Sequence, residues 1–120
     1  MIHHVSFETN DLQRSGAFYD AILGALGWRR LREDEGMIGW GLVRPLFYAS
    51  TRHEVAAGGG HVCFSANGIG AVKGAYEAGL AHGGTDDGPP GQRPQYAATY
   101  YSAYLLDPDL NRIEIAVGGG

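Results

Sequence analysis

The 120-residue chain is long enough for one domain with a buried core and too short for a second. Its net charge of −4, with Lys73 as the only lysine, argues against nucleic acid or an anionic membrane as a partner. No apolar run approaches the roughly 20 residues of a membrane span, and no charged-then-apolar leader precedes the first predicted strand. Cys63 is the only cysteine and cannot form an internal disulfide, so we expect a cytoplasmic protein.

One short pattern occurs twice: HVSFETN begins at His4 and HVCFSAN begins at His61. An offset of 57 residues aligns residues 4–27 with residues 61–84, and eight positions in that window are identical. The repeat indicates a duplicated unit, although two strand–helix units that drifted toward similar residues are the alternative. Two units are too few for a solenoid. We therefore expect one domain, 1–120, made of two similar modules, about 1–57 and 58–118.

The first module reads as a strand, a helix and three more strands. In residues 2–9, Val5 and Phe7 share one face and His4 shares the other face with Ser6, because strand side chains alternate. Asp11 is a good N-cap for the following helix, and Gly27 is a plausible end of that helix. Turn-like residues then separate three predicted strands, which cover residues 28–32, 37–43 and 46–50.

The second module begins with a similar strand at His61 and a helix predicted over residues 69–81. A polar, proline-rich loop follows over residues 85–95, and two strands, 99–106 and 112–117, flank the turn sequence DPDLN. One strand of the second module is hidden in or near that loop. The pattern predicts an α+β fold of two βαβββ modules, with antiparallel sheets and helices on one side.

HVSFETNDLQRSGAFYDAILGALG, the second-module HVCFSA and the hairpin DPDLNRIEI together resemble the vicinal oxygen chelate superfamily. That superfamily includes glyoxalase I, extradiol dioxygenases, fosfomycin resistance proteins and bleomycin resistance proteins. The resemblance covers nearly the whole chain and implies a cup-shaped mixed sheet with helices outside and metal ligands on the inner faces of its strands. His4, His61 and Glu114 match the ligand positions of the first, fifth and last strands.

Strand alternation supports this ligand set independently. In residues 112–117, Ile113 and Ile115 share one face and Glu114 takes the other, just as His4 and His61 lie opposite their strands' apolar side chains. Two imidazoles and one carboxylate form a triad that holds one side of a metal and leaves the other side open to substrate. A single strand histidine is more often structural, but two at repeat-equivalent positions favour a site for iron, zinc, nickel or manganese.

Two positions depart from the family pattern. Glyoxalase I-like enzymes have a second carboxylate in the strand at residues 46–50, where this chain has Phe47 and Tyr48. The missing group would be the base of the isomerase reaction, so the resemblance favours a dioxygenase-like site. Leu110 also replaces the glycine that the family hairpin usually contains, which predicts a different turn or some backbone strain.

Extradiol dioxygenases usually carry further histidine and tyrosine acid–base groups, and by that resemblance Tyr48 and Tyr104 are the candidate catalytic residues. Packing on a sheet is the alternative for most tyrosines.

Three classes of function are compatible with these features of the sequence. The first is a metal-dependent enzyme acting on a small molecule that chelates the metal through vicinal oxygens. The second is a metal-free, bleomycin-resistance-like protein that sequesters a drug between aromatic walls from Trp28, Trp40 and the tyrosines. The third is a scaffold with vestigial ligands.

Assembly follows from the expected architecture. Open sheet edges and an apolar cup mouth are rarely left uncovered in monomers, and a homodimer is the family habit. The site is then completed either within one chain or by His4 of one subunit and His61 and Glu114 of the other. The sequence leaves both arrangements open.

Overall fold

The structure, a computed structural model, describes residues 1–54 and 56–118. Within these residues, two helices and eight strands follow one another as two βαβββ modules. Module 1 consists of β1 (Val5–Glu8), α1 (Leu12–Ala25), β2 (Arg29–Asp34), β3 (Met37–Gly41) and β4 (Pro45–Ser50). Module 2 consists of β5 (His61–Ser65), α2 (Ile69–Ala81), β6 (Thr85–Gln92), β7 (Tyr101–Leu106) and β8 (Arg112–Val117).

Each module builds its own four-stranded sheet. The strand order is β1–β4–β3–β2 in sheet 1 and β5–β8–β7–β6 in sheet 2. In both sheets the first strand of the module runs parallel to the last one, and the remaining neighbours are antiparallel. The predicted α+β fold of two βαβββ modules is confirmed.

The helix ends agree with the sequence. The side chain of Asp11 accepts a hydrogen bond from the backbone N–H of Arg14 at 3.0 Å, which satisfies one of the unpaired donors of the first turn of α1. Gly27 follows the end of α1 with a φ of 90°, a conformation that costs glycine little. The second helix has the predicted bounds, residues 69–81.

The prediction of a loop over residues 85–95 was wrong for most of its length. Thr85–Gln92 is β6, the strand that the sequence left hidden, and it lies at the edge of sheet 2. Its pairing with β7 shifts between Gly88 and Gly91, so Pro89 and Pro90 lie at an irregularity in the ladder. Prolines are tolerated at such a position because an edge strand need not donate a hydrogen bond from every residue.

One hydrophobic core joins the two modules. Helix α1 packs on sheet 1, α2 packs on sheet 2, and the two helices pack on each other. The rings of Phe47 in β4 and Phe64 in β5 meet with centroids 5.2 Å apart, so the apolar faces of both sheets contribute to the same core. The opposite face of each sheet, which we call the open face, carries the polar side chains.

The turn between β7 and β8 ties module 2 to module 1. The Asp107 carboxylate accepts a hydrogen bond from the Tyr19 hydroxyl at 2.5 Å. The Asp109 carboxylate accepts bonds from the Arg14 guanidinium and the Ser15 hydroxyl, both at 2.9 Å. These hydrogen bonds connect the turn that leads into β8 with helix α1.

Leu110 has a φ of 69°, and among the described residues it is the only non-glycine residue with a positive φ. An L-residue with a side chain pays roughly 1–2 kcal/mol for this left-handed conformation. The predicted strain at the DPDLN turn is therefore present. The turn still closes, since the backbone N–H of Leu110 donates to the Asp107 carbonyl at 2.9 Å.

Replacing Leu110 with glycine is expected to stabilise the protein. Leu110 is 51% exposed, so little packing is lost, and the relief of strain exceeds the added chain entropy of glycine by about 0.5–1 kcal/mol. Thermal unfolding followed by circular dichroism should show a melting temperature raised by roughly 2–5 °C. Leu42→Gly is the matched control, because Leu42 is 58% exposed in the β3–β4 connection and has no positive φ. A lower melting temperature for Leu110→Gly would contradict the strain argument.

No helix among residues 1–54 and 56–118 is long and apolar enough to cross a membrane.

Candidate metal centre

His61 and Glu114 come together on the open face of sheet 2. They lie on the adjacent parallel strands β5 and β8, where Cys63 is the register partner of Glu114. The Nε2 atom of His61 is 3.7 Å from Oε1 of Glu114. The alternation inferred from the sequence thus places these two candidate ligands side by side.

Glu114 is a buried carboxylate that has polar neighbours but, among the described residues, no arginine or lysine as an ion-pair partner. Only 6% of the residue is exposed, and its Oε2 accepts a hydrogen bond from the Tyr100 hydroxyl at 2.6 Å. Among the described residues no arginine or lysine forms an ion pair with it. A carboxylate taken out of water without a compensating cation costs several kcal/mol, so this position favours a positive charge beside His61.

The donor atoms fit a divalent transition metal. Ligand atoms about 2.0–2.2 Å from a zinc or iron ion lie roughly 3 Å apart, and the 3.7 Å between His61 and Glu114 needs only a small adjustment. Tyr100 occupies one carboxylate oxygen and leaves the other one, facing His61, for a metal. A carboxylate that binds such an ion through one oxygen is usually held in orientation by a hydrogen bond from a neighbouring residue.

Tyr104 lies beside this pair on β7, where it is the register partner of Glu114. The Arg112 guanidinium carbon lies 4.3 Å from the centroid of the Tyr104 ring. Burial, followed by a hydrogen bond with Tyr96 and the negative charge of Glu114, raises the pKa of Tyr104 to about 12. The pKa of Tyr100 is also raised, chiefly because its hydroxyl donates to the Glu114 carboxylate. Both phenols are therefore protonated near neutral pH.

Sheet 1 carries an equivalent pair, His4 and Tyr48. Ser6 is the register partner of Tyr48 in module 1, and Cys63 is the partner of Glu114 in module 2. Since Ser6 and Cys63 are separated by the repeat offset, Tyr48 occupies the position that Glu114 occupies in the other sheet. The imidazole of His4 lies beside it, with ring centroids 5.2 Å apart.

A single chain does not bring the three predicted ligands together. His4 stands on sheet 1, whereas His61 and Glu114 stand on sheet 2, and no strand of one sheet pairs with the other among the described strands. Within residues 1–54 and 56–118 no three histidine, cysteine, aspartate or glutamate side chains are grouped closely enough to hold a metal ion. The chain therefore presents two halves of a candidate site on two separate open faces.

Sequence reasoning missed the hydrogen bond of Tyr100 and misplaced Trp40. Alternation in the predicted strand over residues 99–106 puts Tyr100 on the same face as Tyr104, and that signal could have identified it as a partner of Glu114.

Trp40 is fully buried, and its indole N–H donates to Asp20 at 2.9 Å. Trp28 packs edge-on against Phe64, next to the core. Trp40 therefore does not supply the aromatic groove wall suggested for a sequestration protein. Cys63, the register partner of Glu114, is exposed on the open face.

Comparison with known proteins agrees with this architecture. The profile of the Glyoxalase/Bleomycin resistance protein/Dioxygenase superfamily matches residues 1–115. The chain belongs to this superfamily. A glyoxalase/bleomycin resistance protein from Albidiferax ferrireducens T118 is 33% identical, with 95% of each chain covered and a TM-score of 0.82. No match was found among curated proteins.

Two more distant solved structures, whose names state a more specific function, share the fold of this superfamily protein. Lactoylglutathione lyase from Agrobacterium tumefaciens is 21% identical over 98% of this chain and 93% of that chain, with a TM-score of 0.69. The fosfomycin resistance protein FosX from Mesorhizobium loti is 17% identical over 96% of this chain and 89% of that chain, also with a TM-score of 0.69. At these identities the likeness concerns the fold, and the chemistry has to be argued from the site.

Proposed function

We propose that this superfamily protein is a metal-dependent enzyme acting on a small molecule that chelates a divalent ion through vicinal oxygens. The observation that carries the proposal is the buried Glu114 carboxylate, which has no arginine or lysine as an ion-pair partner among the described residues and faces His61 at 3.7 Å. Iron, zinc, nickel and manganese all accept such ligands. When bound, the ion would act as a Lewis acid and as a template for the chelating oxygens.

In this proposal each side chain has a separate task. His61 and Glu114 hold the metal, and the Tyr100 hydroxyl fixes the orientation of the Glu114 carboxylate. The third ligand, His4, comes from the partner subunit of a homodimer, because no chain assembles all three groups itself. Tyr48 stands beside His4, and Tyr104 stands beside Glu114, and both hydroxyls donate hydrogen bonds to substrate oxygens.

The absence of a second carboxylate favours dioxygenase-like chemistry over isomerisation. Tyr48 occupies the position equivalent to Glu114, so the 2-His-1-carboxylate set lacks the fourth ligand and base of a glyoxalase I-like reaction. The names of its relatives include both lactoylglutathione lyase and fosfomycin resistance protein, and so do not decide between reactions. Oxygen consumption with catechols, compared with isomerisation of a hemithioacetal, separates the two.

Metal content tests the proposal directly. Protein purified without chelator and offered iron, zinc, nickel and manganese should bind about one equivalent per chain of at least one of them. His61→Ala and Glu114→Gln should each lower the affinity at least about 100-fold, since each removes one of three protein ligands. Elemental analysis and isothermal titration calorimetry measure both quantities.

His82→Ala is the matched control, because the His82 ring contacts the Ala78 carbonyl at the end of α2, away from the open faces. It should bind metal as the wild type does. A wild-type protein that takes up none of the four metals would exclude the enzyme proposed here and leave metal-free sequestration of a drug, testable with bleomycin, as the function to examine.

A further inference from the structure

The open face of sheet 1 contains a groove with a volume of about 420 Å³. Its lining includes the proposed ligand His4, the neighbouring Tyr48, and two arginines, Arg32 and Arg52. A groove of this size accommodates a small molecule. The proposed metal chemistry uses His4 but gives no task to the arginines.

Arg32 and Tyr48 belong to one row across sheet 1. Register partners run from Arg32 in β2 through Gly39 in β3 and Tyr48 in β4 to Ser6 in β1. Neighbouring strands are about 4.8 Å apart, so side chains in one row that point to the same face lie within reach of a common ligand.

Gly39 leaves space for the Tyr48 ring above β3. A Cβ atom on Gly39 would be only 3.2 and 3.3 Å from the two Cε atoms of Tyr48. These two atoms flank the carbon that bears the hydroxyl. The hydroxyl end of the ring therefore lies over β3, which is the neighbour of β2, the strand that carries Arg32. In the described part of the chain this hydroxyl has no hydrogen-bond partner. It is therefore available to a ligand in the groove.

The groove lining carries more positive than negative charge, because it contains two arginines and one carboxylate. Arg32 lies 3.8 Å from Asp34, both side chains are at least half exposed, and Asp34 does not line the groove. Such a surface pair contributes little and leaves most guanidinium N–H groups free. Arg52 has no carboxylate partner within residues 1–54 and 56–118. The one acidic residue in the lining, Glu8, accepts the backbone N–H of His53 at 3.3 Å.

We infer that this groove binds an oxyanion group of the substrate, a carboxylate or a phosphonate, through the guanidinium of Arg32 and the hydroxyl of Tyr48. Arg52 adds positive charge to the same groove. A guanidinium holds two oxygens of such a group with two parallel hydrogen bonds, and a phenol supplies a third donor. The inference rests on the proposed function and narrows it: the substrate would carry an anionic group in addition to the vicinal oxygens that chelate the metal.

The first experiment uses metal-free protein, so that it does not depend on metal binding. Methylphosphonate and acetate are titrated into ¹⁵N-labelled protein, and the arginine Nε–Hε signals are followed. At least one of the two anions should give a saturable shift of the Arg32 signal. Arg32→Gln should weaken the binding of that anion at least about tenfold, and Tyr48→Phe about fivefold, as expected for a charged and a neutral hydrogen bond.

Arg29→Gln is the matched control, because Arg29 is an exposed arginine on the same strand that does not line the groove. It should bind the anions as the wild type does. If neither anion gives a saturable shift, or if Arg29→Gln weakens binding as much as Arg32→Gln, the inference is overturned.

A second experiment joins the two proposals in metal-loaded protein. Catechol and 3,4-dihydroxybenzoate both offer vicinal oxygens, but only the second carries a carboxylate. The wild type should bind 3,4-dihydroxybenzoate about tenfold more tightly than catechol, and in Arg32→Gln this ratio should fall to about one. Equal affinities in the wild type would overturn the inference while leaving the metal site intact. If the protein binds the anions but takes up no metal, the result would support an anion-binding groove and contradict the proposed metal-dependent function.

Discussion

Mixing His4→Ala and His61→Ala chains in one dimer population is expected to restore about one quarter of the wild-type metal sites, although neither variant alone binds metal well. The reason is geometric. His4 lies on sheet 1, His61 and Glu114 lie on sheet 2, and no chain groups the three. If each site takes His4 from one subunit and the other two ligands from its partner, every mixed dimer contains one complete site. Metal content after joint refolding, measured against each variant refolded alone, gives the answer.

The control uses two variants that damage the same half of the site. A mixture of His61→Ala and Glu114→Gln leaves every possible site without one ligand, whichever subunits combine, and should stay at the level of the single variants. Rescue in the first mixture but not in the second would establish a shared site. No rescue in either mixture, together with dimers that demonstrably exchange subunits, would mean that His4 does not act in trans.

Asp107→Ala is expected to lower the free energy of unfolding by about 3–5 kcal/mol, several times the loss from breaking a surface ion pair. The carboxylate is 2% exposed and accepts hydrogen bonds from the backbone N–H groups of Asp109 and Asn111, both at 2.9 Å. It also accepts bonds from the Tyr19 hydroxyl and the Asn111 side-chain amide. Alanine would leave these buried donors without an acceptor, so urea unfolding should show a much lower midpoint.

Asp87→Ala is the comparison for this loss. Asp87 is an exposed aspartate that accepts a hydrogen bond from Arg112 at 2.8 Å, and surface pairs of this kind contribute less than about 1 kcal/mol. Tyr19→Phe removes one of the donors to Asp107 and should cost about 1–2 kcal/mol. An unfolding midpoint for Asp107→Ala no lower than that of Asp87→Ala would show that the turn is not held by this carboxylate.

The outline of the fold could be predicted because it depends on local patterns that occur twice. Alternation around Val5 and Val62 indicates strands, and the cap at Asp11 marks the start of a helix. Strand β6 could not be recognised in the same way. Its prolines and glycines are typical of loops, and only its place at the edge of sheet 2, with an interrupted ladder, makes a strand of them.

The candidate site was predictable to a similar extent. The resemblance to the superfamily names His4, His61 and Glu114 as candidate ligands. The repeat makes the two histidines equivalent, and alternation puts Glu114 on the polar face of its strand. The hydrogen bond from Tyr100 to Glu114 and the position of Tyr48 above Gly39 depend on the register between strands. Register is a property of the assembled sheet and is not encoded within any one strand.

By itself, the sequence determined that two βαβββ modules occur, which face of each strand is polar, and which three side chains are candidates to bind a metal. The modules and the polar faces follow from side-chain periodicity, which each segment carries on its own, and the candidate ligands follow from the resemblance to the superfamily. Only the tertiary structure decided that His61 meets Glu114 within one chain while His4 stands apart, that Trp40 is buried, and that Tyr48 takes the place equivalent to Glu114. Those outcomes depend on how the helices join both sheets around one core, and contacts between distant segments form only when that core is packed.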